Sequence, residues 1–325
     1  MGDPVVWLFG VPVALIVLIK ISIAIARATS FSAKHARRVR RGRGLDISEL
    51  AHRLGMTEDE LKNVDVSYRT KWVRKRSGGQ RRLDVPVPEL KEVQHRILRR
   101  LLSKLRTHSA VTGFEPGHSI VTNAAPHVGR AVVINIDVCD FFTATRAGRI
   151  EKYFQRVGWN REAAVLLTNL VTYEGGLPQG APTSPRLSNL VNMRLDSRLG
   201  RYVKSRNGTY TRYADDITIS FPRDYPRKVR GTVQAVRRQL KSHGYRMHKD
   251  KLRIQRAHQQ QKVTGLVVNE KVNLPRNVRR KLRAIEHHLR NGREATLTPE
   301  QLEGWRALRK MIETQSQEVT ASGGN

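Results

Sequence analysis

The chain has 325 residues, enough for one large domain or two small ones around a full hydrophobic core. Its 60 lysines and arginines against 28 acids give a net charge of +32, which favours a polyanionic partner, either nucleic acid or an anionic membrane surface. The single Cys139 excludes an internal disulfide and a cysteine-rich zinc site, in keeping with a reducing cytosol.

In chain order, residues 5–26 are apolar apart from Pro12, Lys20 and Ser22. At about 1.5 Å per helical residue they are long enough to cross a hydrocarbon core of about 30 Å. A membrane anchor over residues 1–29 is the expectation, with a helix buried against protein as the alternative. Residues 30–44 form a basic linker, and arginines such as Arg37, Arg38 and Arg41 place the remainder of the chain on the cytoplasmic side. Ile47, Leu50, Leu54 and Leu61 predict a short helical pair, with Thr57 and Glu60 as a capping box. Residues 68–88 read as a basic hairpin turning at Gly78-Gly79, and residues 88–105 as an amphipathic helix.

Residues 113–130 are a polar loop containing Asn123 and His127. Residues 131–136 predict a strand buried on both faces, ending in Asp137-Val-Cys-Asp140-Phe-Phe142. Helices are expected over 147–158 and 161–172, then a turn with Gln179 and Gly180 that leads into one helix from Ser184 through Leu199. Two alternating β-branched and aromatic runs flank Ala214-Asp215-Asp216, which predicts a hairpin with acids at its turn. A basic helix over 229–243 comes next, then a second hairpin made from 252–255 and 262–269. Two helices lie between 274 and 314, the first carrying Arg276, Arg279 and Arg280; a disordered tail is expected over 315–325.

Taken singly, Asp215 and Asp216 suit a solvated turn and Asp137 suits a helix N-cap. Together, acidic strand ends in one sheet offer hard oxygen donors for two magnesium ions, which can activate a hydroxyl and stabilise a leaving phosphate oxygen.

Five stretches carry a family resemblance. Tyr213-Ala-Asp-Asp216 resembles the signature of reverse transcriptases, Asp137 with Phe141-Phe142 resembles their first carboxylate motif, and Leu177-Pro-Gln-Gly-Ala-Pro-Thr-Ser-Pro185 resembles their nucleotide-side loop. Asn123-Ala-Ala-Pro-His127 and Val263-Thr-Gly265 resemble elements of retron reverse transcriptases. All five occur in the family's order, and the resemblance covers about residues 45–289.

The resemblance implies an α+β right-hand polymerase with an antiparallel palm sheet, fingers and palm over residues 45–272 and a helical thumb over 273–314. It implies Asp137, Asp215 and Asp216 as catalytic ligands of two magnesium ions. It assigns the deoxynucleotide to Lys75, Arg81, Asp140, Phe142, Gln179, Gly180 and Lys251. Phe142 would exclude a 2′-hydroxyl, and Lys251 would protonate pyrophosphate. His248 and Leu252 depart from the Asn and Thr usual beside that lysine, which leaves Lys249 as a rival. RNA contacts fall to Asn123, His127, Val263, Thr264, Gly265, Arg276, Arg279 and Arg280, with local architecture as the alternative for Asn123 and His127, since a histidine in a loop commonly orients backbone through hydrogen bonds.

The implied partners are a structured non-coding RNA as template and primer, an RNA–DNA duplex, deoxynucleotides, an effector protein in anti-phage defence and host RNase H, with the inner membrane holding a cytoplasmic catalytic domain. The alternatives are a group II intron-type or other bacterial reverse transcriptase, and a non-catalytic membrane-tethered RNA-binding protein.

Overall fold

The computed structural model describes residues 44–74, 78–291 and 296–322. The expected anchor over 5–26, the basic linker as far as Arg43, and Lys75 lie outside the described residues. Among the described residues, no helix is long and apolar enough to cross a membrane. Among the described residues the chain divides into two compact units, one within 44–63 and 151–168, the other within 64–150 and 169–322.

In the first unit, α1 (Ile47–Leu54) and α2 (Glu58–Lys62) form the expected helical pair. Leu50, Leu54 and Leu61 are fully buried, and Thr57 and Glu60 cap each other's backbone reciprocally.

The second unit opens with β1 (Tyr68–Arg74) and β2 (Gln80–Pro86), an antiparallel hairpin in which Arg74 faces Gln80. After α3 (Pro88–Ile97) and the short α4 (Ile120–Ala124) comes β3 (Val132–Cys139). The chain continues through α5 (Ala147–Arg156) and α6 (Arg161–Val171), most of which belong to the first unit, and then α7 (Ser184–Val191) and α8 (Met193–Lys204). The single helix expected from Ser184 through Leu199 is therefore two. Asn192 leaves helical geometry between them, and its side-chain amide is held by Ser188, Tyr245 and Arg149. Such a buried, fully partnered amide fixes a break that hydrophobic periodicity does not reveal.

Next come β4 (Thr209–Tyr213), β5 (Asp216–Phe221), α9 (Pro226–Ser242), β6 (Arg246–Met247) and β7 (Arg253–Arg256). They complete an antiparallel sheet of order β4-β5-β3-β6, with β7 also paired to β3. Alternation sorts its two faces. Val132, Ile134, Ile136 and Val138 join Ile217, Ile219 and Phe221 in a core with Leu195, Leu199, Val236 and Leu240. Asn135, Asp137 and Thr218 lie on the opposite face.

Three expectations for this sheet are corrected. Asp137 does not end its strand: β3 runs on to Cys139 because Val138 pairs with Met247 and donates to the Asp215 carbonyl. The strand is buried on both faces only as far as Ile134; beyond it Asn135, Asp137 and Cys139 are half-buried. Nor do residues 252–255 pair with 262–269. Strand β7 joins β3, whereas β8 (Lys262–Val263) folds back onto β9 (Leu266–Val267). Leu252 and Ile254 pack against the main core, which draws that segment into the sheet.

A second core gathers Val121 and Ala124 of α4, Val133, Val263 and Leu266 with residues of α10 (Arg276–Arg290) and α11 (Pro299–Ser322), among them Leu282, Ile285, Leu302 and Ile312. Helix α11 continues past Gln315, whose side chain accepts a hydrogen bond from Ser119, so the tail is helical as far as Ser322.

Candidate active site

Strand pairing builds the site. Asp137 on β3 is the register partner of Asp216 on β5, and Asp215 sits beside them in the turn from β4. The turn needs a left-handed residue, and Ala214 takes it at φ 55°. Gly113 lies against that turn so closely that a Cβ there would meet the Ala214 nitrogen at 2.6 Å.

Behind the turn lies a sealed charge network. Arg212 and Asp196 are 1% and 0% exposed, with Arg212 Nε 2.7 Å from Asp196 Oδ1 and Nη2 2.8 Å from Oδ2. The Tyr210 hydroxyl also donates to Asp196, at 2.7 Å. Burial works against the Arg212 charge, but Asp196 more than offsets it and the guanidinium stays protonated. Its remaining nitrogen, Nη1, donates to the Ala214 carbonyl at 3.0 Å and to Asn189 at 3.1 Å. Sequence reasoning passed over Arg212 and Asp196; the one signal was an arginine at a position that strand alternation assigns to the core.

The acidic cluster is electrostatically crowded. Loss of solvent, then the charges of Asp215 and Asp137, push the Asp216 carboxyl up to about 6, although that residue reaches solvent at the start of β5. Loss of solvent also raises Asp215, with Asp137 adding to it and the cations Lys251 and Arg81 pulling the other way. Lys251 Nζ sits 2.9 Å from Asp137 Oδ2, and that hydrogen bond raises its ammonium's pKa. Lys251 therefore makes the contact with the carboxylates.

Among the described residues, no three His, Cys, Asp or Glu groups form a ready-made metal cluster. The donor chemistry nevertheless fits hard divalent cations: three carboxylates, two of them resisting ionisation chiefly through loss of solvent and then through neighbouring acidic charge, with a lysine neutralising the third.

Of the expected nucleotide residues, Arg81 and Lys251 lie within electrostatic reach of this cluster. Arg81 is exposed on β2, whereas its neighbour Arg82 is committed to Asp84 and Glu174. The Gln179 carbonyl accepts from the Asp84 amide at 2.8 Å, and a Cβ on Gly180 would lie 2.8 Å from the Asp84 carbonyl oxygen. Gln179 and Gly180 thus join their turn to the Arg81 strand. Asp140 is exposed in a left-handed turn at φ 47°, its carbonyl accepting from Ala144. Phe142 is half-buried, 5.6 Å from Phe141 and 6.4 Å from Phe114 between ring centres. Phe114 is exposed, holds φ 61° and also lies 6.2 Å from Tyr213; the sequence reading missed it.

Three expected RNA contacts are corrected. Asn123 and His127 are 0% exposed, too deep to touch RNA. The His127 ring nitrogens lie 2.7 Å from the Ser220 hydroxyl and 2.8 Å from the Thr211 hydroxyl, clamping β5 to β4 on the sheet face that carries Thr218. Burial, then the charge of Arg130, pushes the imidazole down to about 3, so it is neutral. The Thr112 hydroxyl donates to Asn123 Oδ1. Val263 is buried in the second core, while Gly265 is exposed at the β8–β9 turn and the Thr264 hydroxyl donates to the Ile120 carbonyl of α4. Arg276 and Arg280 line a groove with Gln260 and Lys262, whereas Arg279 lines a separate cavity of about 840 Å³ between α10 and α11.

The family model "Reverse transcriptase (RNA-dependent DNA polymerase)" matches residues 73–268. The chain is 36% identical to the retron Ec86 reverse transcriptase of Escherichia coli, over 78% of this chain and 79% of that protein. It is 34% identical to the retron Mx162 enzyme of Myxococcus xanthus (88% and 68% covered) and 36% identical to the retron Mx65 enzyme of the same organism (84% and 70%). Among solved structures, telomerase from Candida albicans in complex with a fragment of telomeric RNA gives a TM-score of 0.49 at 12% identity, over 65% of this chain and 45% of that one. The family match and the relatives, at this identity and coverage, place the chain among the retron reverse transcriptases, and it is an RNA-directed DNA polymerase.

Proposed function

We propose that this enzyme copies a structured non-coding RNA into branched, RNA-linked single-stranded DNA (msDNA), starting from the 2′-hydroxyl of a guanosine in that RNA. The observation that carries the reading is the meeting of Asp137, Asp215 and Asp216 at the β3–β5 pairing, in a chain this similar to retron enzymes. In this reading the hydroxyl oxygen bonds to the α-phosphorus of a deoxynucleotide, the bond from that phosphorus to pyrophosphate breaks, and the hydroxyl proton is lost.

Asp137, Asp215 and Asp216 would hold two divalent ions, magnesium in our reading, which when bound favour the ionised hydroxyl and offset charge on the leaving group. Arg81 grips the triphosphate through paired guanidinium hydrogen bonds. Lys251, already beside Asp137, delivers a proton or a positive charge to pyrophosphate. Phe142 selects deoxynucleotides by crowding a 2′-hydroxyl.

The experiment is purification with the co-expressed RNA, followed by labelled deoxynucleotide incorporation without added primer. DNA that shortens on ribonuclease treatment yet keeps a ribonucleotide branch supports self-priming. Synthesis only on an annealed primer overturns it and leaves a general reverse transcriptase. In the cell we place the product in anti-phage defence with an effector protein, host RNase H trimming the template and residues 5–26 tethering the enzyme at the inner membrane. Full defence after replacing that segment with a soluble linker removes the tether from the account.

A further inference from the structure

Self-priming imposes a geometric demand that ordinary priming does not. A primer that attacks through its terminal 3′-oxygen has no chain beyond it. A nucleotide that attacks through its 2′-oxygen still carries a phosphodiester on the neighbouring 3′-oxygen, so a second RNA strand must leave the reaction centre. The upstream strand can take the usual primer course; the strand continuing 3′ needs a route of its own.

The polar face of the sheet offers one. Asp137 and Asp216 form one row across the strands, and Asn135, flanked by Thr218 on one side and Arg253 on the other, forms the next. Two residues along a strand separate these rows by about 7 Å, which is close to one nucleotide of extended backbone. The second row floors a trough of about 590 Å³ that starts at Asp216 and is walled by Gln255, Lys262 and the β8–β9 turn. Gln260 and Lys262 are shared with a second groove of about 490 Å³, which continues to Arg276 and Arg280. Together they make a continuous course leading away from the carboxylates.

Its chemistry suits RNA. Arg253, Arg276 and Arg280 are exposed and Lys262 is half-buried, and no carboxylate among the described residues forms an ion pair with any of them. Unpaired cations in a groove attract phosphates. The Asn135 amide nitrogen donates to the Lys262 carbonyl at 2.7 Å, which fixes the amide's orientation and leaves Oδ1 as a buried acceptor without a partner among the described residues. A buried acceptor of this kind calls for a donor, and ribose 2′-hydroxyls and the exocyclic amines of bases supply one.

We propose that the trough from Asn135 and Arg253 to Arg276 and Arg280 is the exit track for the RNA strand that continues 3′ from the priming nucleotide. This rests on the self-priming reading above. The track explains why the face next to the carboxylates carries cations and an orphaned acceptor rather than apolar packing.

The test compares two reactions of the same full-length enzyme. The wild type and an Arg253→Ala/Lys262→Ala variant are each given the co-expressed RNA alone, or a template with an annealed DNA primer. The track predicts a fall of at least about tenfold in RNA-linked DNA, from lost phosphate contacts, with primer extension changed less than about twofold. A photoreactive 4-thiouridine placed just 3′ of the priming guanosine should crosslink within residues 253–280 of the wild type. Equal losses in both reactions overturn the proposal in favour of a general nucleic-acid grip, and so does an unchanged yield of RNA-linked DNA. A crosslink confined to the β1–β2 hairpin overturns it independently of any variant. If the wild type itself makes no RNA-linked DNA, the self-priming reading fails first and the track falls with it.

Discussion

Lys251 Nζ stands 2.9 Å from Asp137 Oδ2, so the residue proposed to serve the leaving group is also the counter-ion of a proposed metal ligand. These roles pull in opposite directions. Removing the ammonium frees Asp137 and relieves repulsion on an incoming cation, yet takes a proton donor from pyrophosphate. Lys251→Met should therefore lower the half-saturating divalent-ion concentration while reducing kcat by about 100-fold, at the low end for lost general acid catalysis. A metal titration of the incorporation rate measures both. If neither quantity moves, Lys251 is a bystander.

The raised carboxyls give a signed pH dependence. An aspartate in the unfolded chain titrates near 4, but Asp216 titrates at about 6 in the fold and Asp215 is shifted the same way. Between those values the native state binds more protons than the unfolded one. Without divalent ions this contribution is fully present below pH about 4 and is lost as pH rises through about 6. His127 opposes it: its imidazole is held down at about 3, so its contribution is lost as pH falls from about 6.5 towards 3. The difference in melting temperature between wild type and Asp216→Asn isolates the carboxylate part. It should favour the variant at pH 7.5 and shrink towards pH 5, and magnesium should stabilise only the wild type.

The Arg212–Asp196 pair makes a stability prediction. Arg212→Met leaves Asp196 charged and sealed from water, which costs about 3–5 kcal/mol. Adding Asp196→Leu removes the stranded charge and should recover most of that in urea unfolding. Polymerase activity should stay low in the double variant, because the Ala214 carbonyl has lost the Arg212 hydrogen bond. Full activity in the double variant would show that the turn needs no such support.

Gly180 predicts a coupling between turn and hairpin. At φ 138°, with the Asp84 carbonyl oxygen 2.8 Å from an added Cβ, Gly180→Ala must push the turn off β2. The deoxynucleotide KM should rise about as much as in Arg81→Ala, and the double variant should be less than additive. Strict additivity would place the two residues in independent contacts.

A physical divide separates the features legible in the sequence from the rest. The sheet strands, the Gly78-Gly79 hairpin and the Thr57 capping box were legible because alternation, turn residues and caps are local signals. The break at Asn192 and the placement of β7 were not, since a buried amide and the pairing of Ile254 with Ile134 belong to tertiary packing. Asn123 and His127 mislead for the opposite reason. Polar residues in a glycine- and proline-punctuated loop read as solvent-facing, yet their partners Thr112, Thr211 and Ser220 are hydroxyls that no short-range pattern announces. Asp137 and Asp216 were identifiable as a motif, but that they face each other across the β3–β5 pairing is visible only in the fold.

The most direct experiment asks whether these carboxylates perform templated DNA synthesis. Wild type and Asp215→Asn/Asp216→Asn are purified with the same RNA, and deoxynucleotide incorporation is measured with and without magnesium, beside RNA binding by both. We expect magnesium-dependent DNA from the wild type, none above background from the variant, and equal RNA affinity. Equal synthesis by the two proteins, or none by either despite tight RNA binding, would contradict the assignment of these carboxylates.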